Sequence, residues 1–339
     1  MEESKEKNII ILKITAIIIL SIILSTLVVV LMLQETMLKN NILFMNIFLF
    51  SLTIFSLTTK DIAKKVIGLY KERQLYYYIH ILILLVFPLF SWIYNKNIEK
   101  GVVVFSLWYI LPVSLFLAPK ILNLKNYQLF FHIPAVLIMA IGFDTRRTYD
   151  VTEGLDGMGY TLNALWVSTL LLLILSLQID DFTEKFNFSL TLKKMLLVLG
   201  LLVILFVILV PIGLLTNFLS WNPQWLGLDI FIVSFIGIFF TIALPEELIT
   251  RGTMQHQLLA RYGKKEVKSW QNGVIIVSVS LIFGASHWNN TSPEFIWAYI
   301  LLATIAGIIY GLGFVYGGLV SAMLIHTLVD WIWNILFKT

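Results

Sequence analysis

The sequence predicts an all-α protein, a polytopic membrane helix bundle with about eleven transmembrane helices. Of its 339 residues 59% are hydrophobic and 13% are charged, and this charged fraction is about half the usual share of a soluble domain. Long apolar stretches recur along the whole chain, and aromatic residues of the kind that favour membrane interfaces make up 14% of it. This composition excludes a soluble enzyme, a disordered chain and a nucleic-acid binder. The chain has no cysteine, which excludes disulfides, thiolate metal sites and a cysteine nucleophile.

Each predicted span is an apolar stretch, and the shorter ones are expected to extend into their polar flanks, because crossing a bilayer takes about 20 residues. The stretches are Ile9–Leu33, Ile42–Leu57, Tyr76–Trp92, Val102–Leu117, Leu129–Phe143, Leu165–Leu177, Met195–Leu215, Ile230–Leu244, Gly273–Ala285, Phe295–Tyr316 and Leu319–Phe337. Most of the 24 Lys and Arg residues fall in alternate connecting segments. Positive charge accumulates on the cytoplasmic side of a membrane, so we predict a multi-pass protein with a cytoplasmic N-terminus.

A pair of glutamates follows directly on an apolar stretch, in the segment FFTIALPEELITRGTMQHQLL. Glu247 and Arg251 are four residues apart, so on a helix they share a face and can form an ion pair. Glu246 points about 100° away from that face, where it can face a cavity and take a proton from water. Pro245 removes a backbone donor and can kink the helix. The alternative interpretation is a pair of interfacial acids with an arginine that reaches the membrane surface.

Two histidines form the other polar positions of interest. In LIFGASHWNN, His287 follows Phe283 by four residues; in SAMLIHTLVDWIW, His326 precedes Asp330 by four. Charged and polar groups inside hydrocarbon are costly, so an intramembrane His with an Asp partner predicts a functional site. The structural alternatives are a histidine at the membrane interface and a His–Asp hydrogen bond between packed helices. The upstream His80 and His132 have no acidic residue nearby in sequence, and we interpret them as packing residues.

Taken in order, these residues resemble the three motifs of the CPBP intramembrane proteases, which include the type II CAAX prenyl endopeptidases and the bacterial Abi proteins linked to bacteriocin processing and self-immunity. The matching positions are Glu246-Glu247-x-x-x-Arg251, Phe283-x-x-x-His287 and His326-x-x-x-Asp330. The resemblance covers roughly residues 195–337. It implies a protease domain over residues 191–339, with the catalytic core in the C-terminal spans. Residues 1–190 are then an N-terminal transmembrane region of unknown role.

The resemblance also implies roles for the residues. Glu246 is the expected general base that activates a water molecule, assisted by His287. His326 is expected to hold the developing oxyanion, with Asp330 beside it. The expected supporting residues are Glu247, Arg251 and Phe283. The prenyl endopeptidases usually carry asparagine where this chain has Asp330, and an ionised aspartate cannot donate a hydrogen bond. Asp330 therefore orients His326, is protonated or binds a metal, and the sequence leaves these roles open.

Metal dependence is left open as well. Glu246, His287 and His326 are the types of ligand found in a His₂Glu zinc site, so one divalent metal such as zinc is one alternative. The resemblance also supports a metal-free glutamate mechanism, which we favour.

The expected reaction is hydrolysis of a peptide bond in a membrane-associated or exported peptide or protein. The Lys-, Ile- and Asn-rich residue usage is typical of a low-GC bacterium, where prenylated proteins are not expected. We therefore expect the membrane of a bacterial cell, and a signal-peptide remnant, bacteriocin leader or quorum peptide as substrate. The main alternative is a non-catalytic immunity protein or a proton-coupled transporter, since buried Glu, His and Asp also build proton relays. The oligomeric state stays open.

Overall fold

The chain folds almost entirely into α-helices. The computed structural model describes residues 13–15, 17–19, 21–22, 37–95, 103–124, 127–144, 159–224, 227–264 and 269–338. Within these residues the one sheet is a pair of two-residue strands, so the predicted all-α class is confirmed. The chain divides into two compact units, residues 1–188 and 189–339, and each is described separately.

The first unit is built around one helix that is buried on nearly all sides. Its helices are α1 (Met37–Thr58), α2 (Lys60–Glu72), α3 (Gln74–Asn95), α4 (Leu111–Ile121, continuous with a π turn at Ser106–Ile110), α5 (Gln128–Asp144), α6 (Gly159–Gln178) and the single turn α7 (Phe182–Lys185). Helix α6 contacts α1, α2, α3 and α5. Its residues from Leu170 to Leu175 are fully buried, as expected for a helix that is apolar around its whole circumference.

A small polar junction ties α1, α2 and α3 together at His80. The Thr53 hydroxyl donates to the Leu49 carbonyl, so it accepts from His80 Nε2 at 3.1 Å. In the neutral ring, Nδ1 is then the acceptor for the Tyr70 hydroxyl at 2.6 Å. His80 therefore satisfies both ring nitrogens inside the unit, which is a structural role in packing.

The second unit holds all the residues of the three motifs. Its elements are α8 (Leu192–Leu215), β1 (Ser220–Trp221), α9 (Leu228–Ile238), α10 (Leu244–Glu247), α11 (His256–Tyr262), α12 (Trp270–Ala285), α13 (Ile296–Gly317), α14 (Leu319–Leu336) and β2 (Phe337–Lys338). Strand β2 pairs antiparallel with β1. Helices α9, α10 and α11 and the π turns between them form one apolar helix of 35 residues, Leu228–Tyr262, which we call the site helix.

Local signals in the sequence set the helix ends of this unit. Thr191 caps α8 by accepting from the Lys194 amide, and Ser269 caps α12 by accepting from the Asn272 amide. Gly318 separates α13 from α14 with a φ of +80°, a conformation that glycine adopts without steric cost. The turn places α14 against α13.

Helix α13 is the centre of the second unit. It packs along α12 on one side and against α8 and α14 on others. Apolar side chains from α8, α13 and α14 form a common core, with Phe218 and Phe283 among its members. Burial of this core helps to fix α12 and α14, the helices of the second and third motifs.

Six helices of the described residues are long and apolar enough to cross a membrane, and four apolar helices are shorter. The six are Val103–Ile121, Tyr160–Gln178, Leu192–Leu215, Leu228–Tyr262, Pro293–Gly317 and Leu319–Leu336. The chain is therefore an integral, multi-pass membrane protein. The sequence-predicted span at Ile9–Leu33 lies mostly outside the described residues, and the total of about eleven stays a prediction.

Candidate active site

The glutamate pair lies on a distorted part of the site helix. Two π turns, Phe239–Ala243 and Leu248–Gln255, flank the short α10 that carries Glu246 and Glu247. Pro245 stands at the start of α10 and cannot donate the backbone hydrogen bond that a regular helix needs. Such π turns often mark functional sites, because the extra residue in each turn redirects the side chains that follow.

Glu247 is held in a fully buried ion pair. Its Oε2 lies 3.2 Å from Arg251 Nε, and both side chains have no solvent-accessible surface. The pairing predicted from the four-residue spacing is therefore present. The Arg251 guanidinium carbon also lies 5.1 Å from the centre of the Phe283 ring, a cation–π contact that adds to the stabilisation of the buried charge.

His326 lies among three carboxylates. Its Nδ1 is 2.9 Å from Glu247 Oε1, and because a carboxylate accepts, Nδ1 is the donor. Its Nε2 lies 3.4 Å from Asp330 Oδ2 and 3.7 Å from Glu246 Oε2. The side chains of Glu246 and Asp330 keep 25% and 33% exposure, although the Glu246 oxygen nearest Nε2 is itself buried. The Nδ1 side is closed by Glu247.

Phe283 lies between the two histidines of the motifs. Its ring centre is 4.8 Å from the His287 ring and 5.9 Å from the His326 ring. His287 Nδ1 lies 2.8 Å from the Phe283 carbonyl oxygen, which only accepts, so Nδ1 carries a hydrogen. In the neutral His287 ring the lone pair is then on Nε2, the nitrogen that can accept a hydrogen bond from water.

The structure brings the three motifs into one cluster of the second unit. Glu246, Glu247, Arg251, His326 and Asp330 are joined by direct polar contacts. Residues Phe283 and His287 join through ring contacts. The catalytic roles assigned to these residues from the sequence stay predictions.

Residues of α13 complete the site, and the sequence did not reveal them. Tyr310 stacks on His326, with ring centres 4.6 Å apart and ring planes 14° apart. Tyr299 meets the His287 ring edge-on at 5.2 Å. The hydroxyl of a tyrosine in an apolar helix usually needs a hydrogen-bond partner. This requirement is the sequence signal that could have indicated Tyr299 and Tyr310.

Glycines of α13 leave room for side chains of the site helix. A Cβ on Gly307 would lie 3.3 Å from Arg251 Nη2, and a Cβ on Gly311 would lie 2.7 Å from Gln255 Oε1. The buried Gln255 also donates to the Gly311 carbonyl at 3.0 Å. Close approach of α13 therefore helps to hold the turn that carries Arg251.

The potential metal ligands of the described residues do not form a metal centre. There, no group of three or more His, Asp or Glu side chains is arranged to hold a metal ion. Both nitrogens of His326 face carboxylates, and the Phe283 ring lies between the His287 and His326 rings. The ligand set suggested by the sequence, Glu246, His287 and His326, does not fit a metal in this arrangement.

Comparison with known families agrees with the motifs. Residues 225–332 match the family model of the type II CAAX prenyl endopeptidase Rce1-like proteins. The chain is therefore similar to the Rce1-like family over this segment. The resemblance noted in the sequence is thereby confirmed, over a shorter stretch than the roughly 195–337 proposed there. No curated protein and no solved structure matches the chain.

The Rce1-like segment contains all three motifs as well as Tyr299 and Tyr310. Similarity to this family indicates a protease, and a protease acts on a protein or peptide substrate. The site helix, α12 and α13 lie wholly or almost wholly inside the segment, and α14 extends a few residues beyond it. The family match and the polar cluster therefore fall on the same helices.

Proposed function

We propose that the protein is an intramembrane endopeptidase that hydrolyses a peptide bond with a water molecule activated by Glu246 and His287. The observation that carries the proposal is the difference between the two glutamates. Glu247 is fully buried and occupied by Arg251 and His326, whereas Glu246 is a quarter exposed beside the His326 ring. A general base has to be reached by the water that it activates, and of the pair Glu246 meets this requirement better.

The proposed step is an attack by water on the scissile carbonyl carbon. Glu246 takes one proton as the water oxygen bonds to that carbon, and His287 Nε2 accepts a hydrogen bond from the same water. The carbonyl oxygen gains negative charge, and His326, as an imidazolium with a hydrogen on both ring nitrogens, stabilises this charge through Nε2. When the C–N bond breaks, the proton held by Glu246 passes to the departing amine.

Asp330 is proposed to orient His326. Its Oδ2 lies 3.4 Å from Nε2, one helical turn along α14, and an ionised aspartate only accepts. The contact therefore favours the orienting role among the three left open by the sequence.

The proposed substrate is a membrane-associated or exported peptide, and the proposed location is the membrane of a bacterial cell. A prenylated protein, the substrate named by the family description, is the alternative. A substrate that lies in or at the membrane can reach polar side chains that are carried on apolar helices.

The test is a comparison of the peptides released by cells that carry the wild type, Glu246→Gln or Glu294→Gln. Glu294 is an exposed acid outside the cluster and serves as the matched control. We expect mass spectrometry to find cleavage products with the wild type and with Glu294→Gln, and intact precursors with Glu246→Gln. Identical peptide profiles in all three would reject the protease and favour transport or immunity by binding.

A further inference from the structure

We infer that Tyr310 is a positioning residue for His326. Tyr310 acts by stacking the face of its ring on the His326 ring. The inference rests on the proposed function, since it assigns to a residue outside the three motifs the task of orienting the group that stabilises the oxyanion. Tyr310 is on α13, sixteen residues before His326, and both are buried.

The need for such a residue follows from the freedom of a histidine ring. Rotation about the bond between Cβ and the ring has broad energy minima, so the environment decides the ring plane. The hydrogen bond from Nδ1 to Glu247 at 2.9 Å fixes one atom but still permits the ring to swing about it. The direction of Nε2, the atom that faces Glu246 and Asp330, depends on that swing.

The stacking contact removes this freedom. The rings of Tyr310 and His326 are nearly parallel, with planes 14° apart and centres 4.6 Å apart. Phe283 meets the His326 ring edge-on, at 5.9 Å and 86°, and it meets Tyr310 in the same way at 6.0 Å. One face and one edge of the imidazole are thus covered by aromatic carbon, so that Nε2 stays directed at Glu246 and Asp330.

The position of Tyr310 is itself well supported. Its helix packs closely against the site helix at Gly307 and Gly311, where a Cβ would crowd Arg251 and Gln255. These glycines lie three residues before and one after Tyr310. The rigid backbone at this point holds the tyrosine ring against His326.

The test separates the ring of Tyr310 from its hydroxyl. Tyr310→Phe keeps the stacking surface, whereas Tyr310→Leu removes it, and Tyr310→Met replaces it with an apolar chain that packs adaptably should the leucine variant fail to fold. Tyr316→Leu, on the same helix and at a position with 54% exposure, is the matched control. Each variant is purified in lipid nanodiscs with isotope-labelled histidine.

The first readout is the NMR signal of the His326 ring, assigned by its loss in His326→Gln. We expect an upfield ring-current shift in the wild type, in Tyr310→Phe and in Tyr316→Leu, and loss of that shift in Tyr310→Leu and Tyr310→Met. The other four histidines report whether each variant is folded. This readout needs no substrate, so it remains informative if the protease proposal fails.

The second readout is cleavage of a peptide identified in the comparison of wild type and Glu246→Gln. Misplacing a catalytic group by about 1 Å can cost about a hundredfold in rate, so we expect Tyr310→Leu or Tyr310→Met to lower kcat by about tenfold to a hundredfold with KM little changed. Tyr310→Phe, which keeps the aromatic ring, should retain the wild-type rate. A loss in Tyr310→Phe equal to that in Tyr310→Leu would assign the effect to the hydroxyl and overturn the inference. The inference would also be overturned if Tyr310→Leu and Tyr310→Met kept both the wild-type kcat and the wild-type ring-current shift of His326.

Discussion

At the scale of single residues, the ion pair of Glu247 and Arg251 brings two opposite charges together away from solvent. Both side chains are fully buried, and Glu247 is also the hydrogen-bond acceptor of His326. A buried charge that loses its partner keeps its desolvation cost without compensation. The pair therefore anchors the His326 ring at Nδ1, while the partly exposed side chains of Glu246 and Asp330 lie on the Nε2 side.

This predicts a large loss of stability in Arg251→Met. Removing one partner of a buried ion pair costs about 3–5 kcal/mol, and we expect a loss of this size in reversible unfolding measured in detergent micelles. The double variant Arg251→Met with Glu247→Gln should recover part of the loss, because the unpaired charge is gone. Arg261→Met, at an exposed position of α11, is the control. Equal stability of Arg251→Met and Arg261→Met would contradict the account.

At the scale of helices, the contact of α12 with α13 sets the distance between the second motif and the rest of the site. A Cβ on Gly284 would overlap the Thr304 hydroxyl and lie 2.7 Å from the Ile300 carbonyl oxygen. Gly284 follows Phe283 directly, and Phe283 contacts both histidines. The absence of a side chain at this one position lets α12 bring Phe283 to His326.

We expect Gly284→Ala to push α12 away from α13 and to lower both stability and cleavage. Overpacking of this kind costs about 1–3 kcal/mol. A Cβ on Gly273, in the same helix, would have nothing within 4 Å of it, so Gly273→Ala should be neutral or stabilise the protein by up to about 1 kcal/mol. Thermal unfolding of the two variants in nanodiscs distinguishes them, and a Gly284→Ala protein as stable as the wild type would contradict the packing argument.

The sequence predicted the polar part of the site better than its apolar part. Glu246, His326 and Asp330 stand out because charged and polar groups are costly inside a membrane and are retained when they are used. Gly284 carries no such signal and Tyr310 carries only that of its hydroxyl, since an aromatic or a small residue in an apolar helix is ordinary. Their roles depend on which helices are neighbours, and a single sequence does not specify this.

The helix distortions explain another part of the difference. Helical spacing correctly predicted the pairing of Glu247 with Arg251, but the π turns on both sides of α10 have no reliable sequence signal apart from Pro245. The helix at the predicted span Gly273–Ala285 begins at Trp270, and His287 lies just beyond its end. Helix ends and distortions of this kind arise from capping and tertiary contacts.

At the scale of the whole molecule, the orientation in the membrane follows from the distribution of positive charge and is still a prediction. With a cytoplasmic N-terminus, the segment before α8 is inside, and the segment between α12 and α13 is outside. The chain has no cysteine, so single cysteines can be introduced without background. Ser189 and Ser292 are exposed serines in these two segments and make a matched pair.

We expect a maleimide that cannot cross membranes to label Ser292→Cys in intact cells and Ser189→Cys only after the cells are permeabilised. Serine and cysteine have nearly the same size, so neither change should disturb the fold. The reversed labelling pattern would place the N-terminus outside. Labelling of both cysteines in intact cells would mean that the number of spans between them is even.

The most direct test of the central claim is hydrolysis by the purified protein in ¹⁸O-labelled water. A peptide identified in cells is incubated with wild type, Glu246→Gln or Glu294→Gln in nanodiscs, with and without a metal chelator. We predict one ¹⁸O atom in the new carboxylate with the wild type and Glu294→Gln, no product with Glu246→Gln, and no effect of the chelator. Loss of activity with the chelator and its return with added zinc would contradict the metal-free mechanism, and an active Glu246→Gln protein would contradict the role of Glu246 as the base.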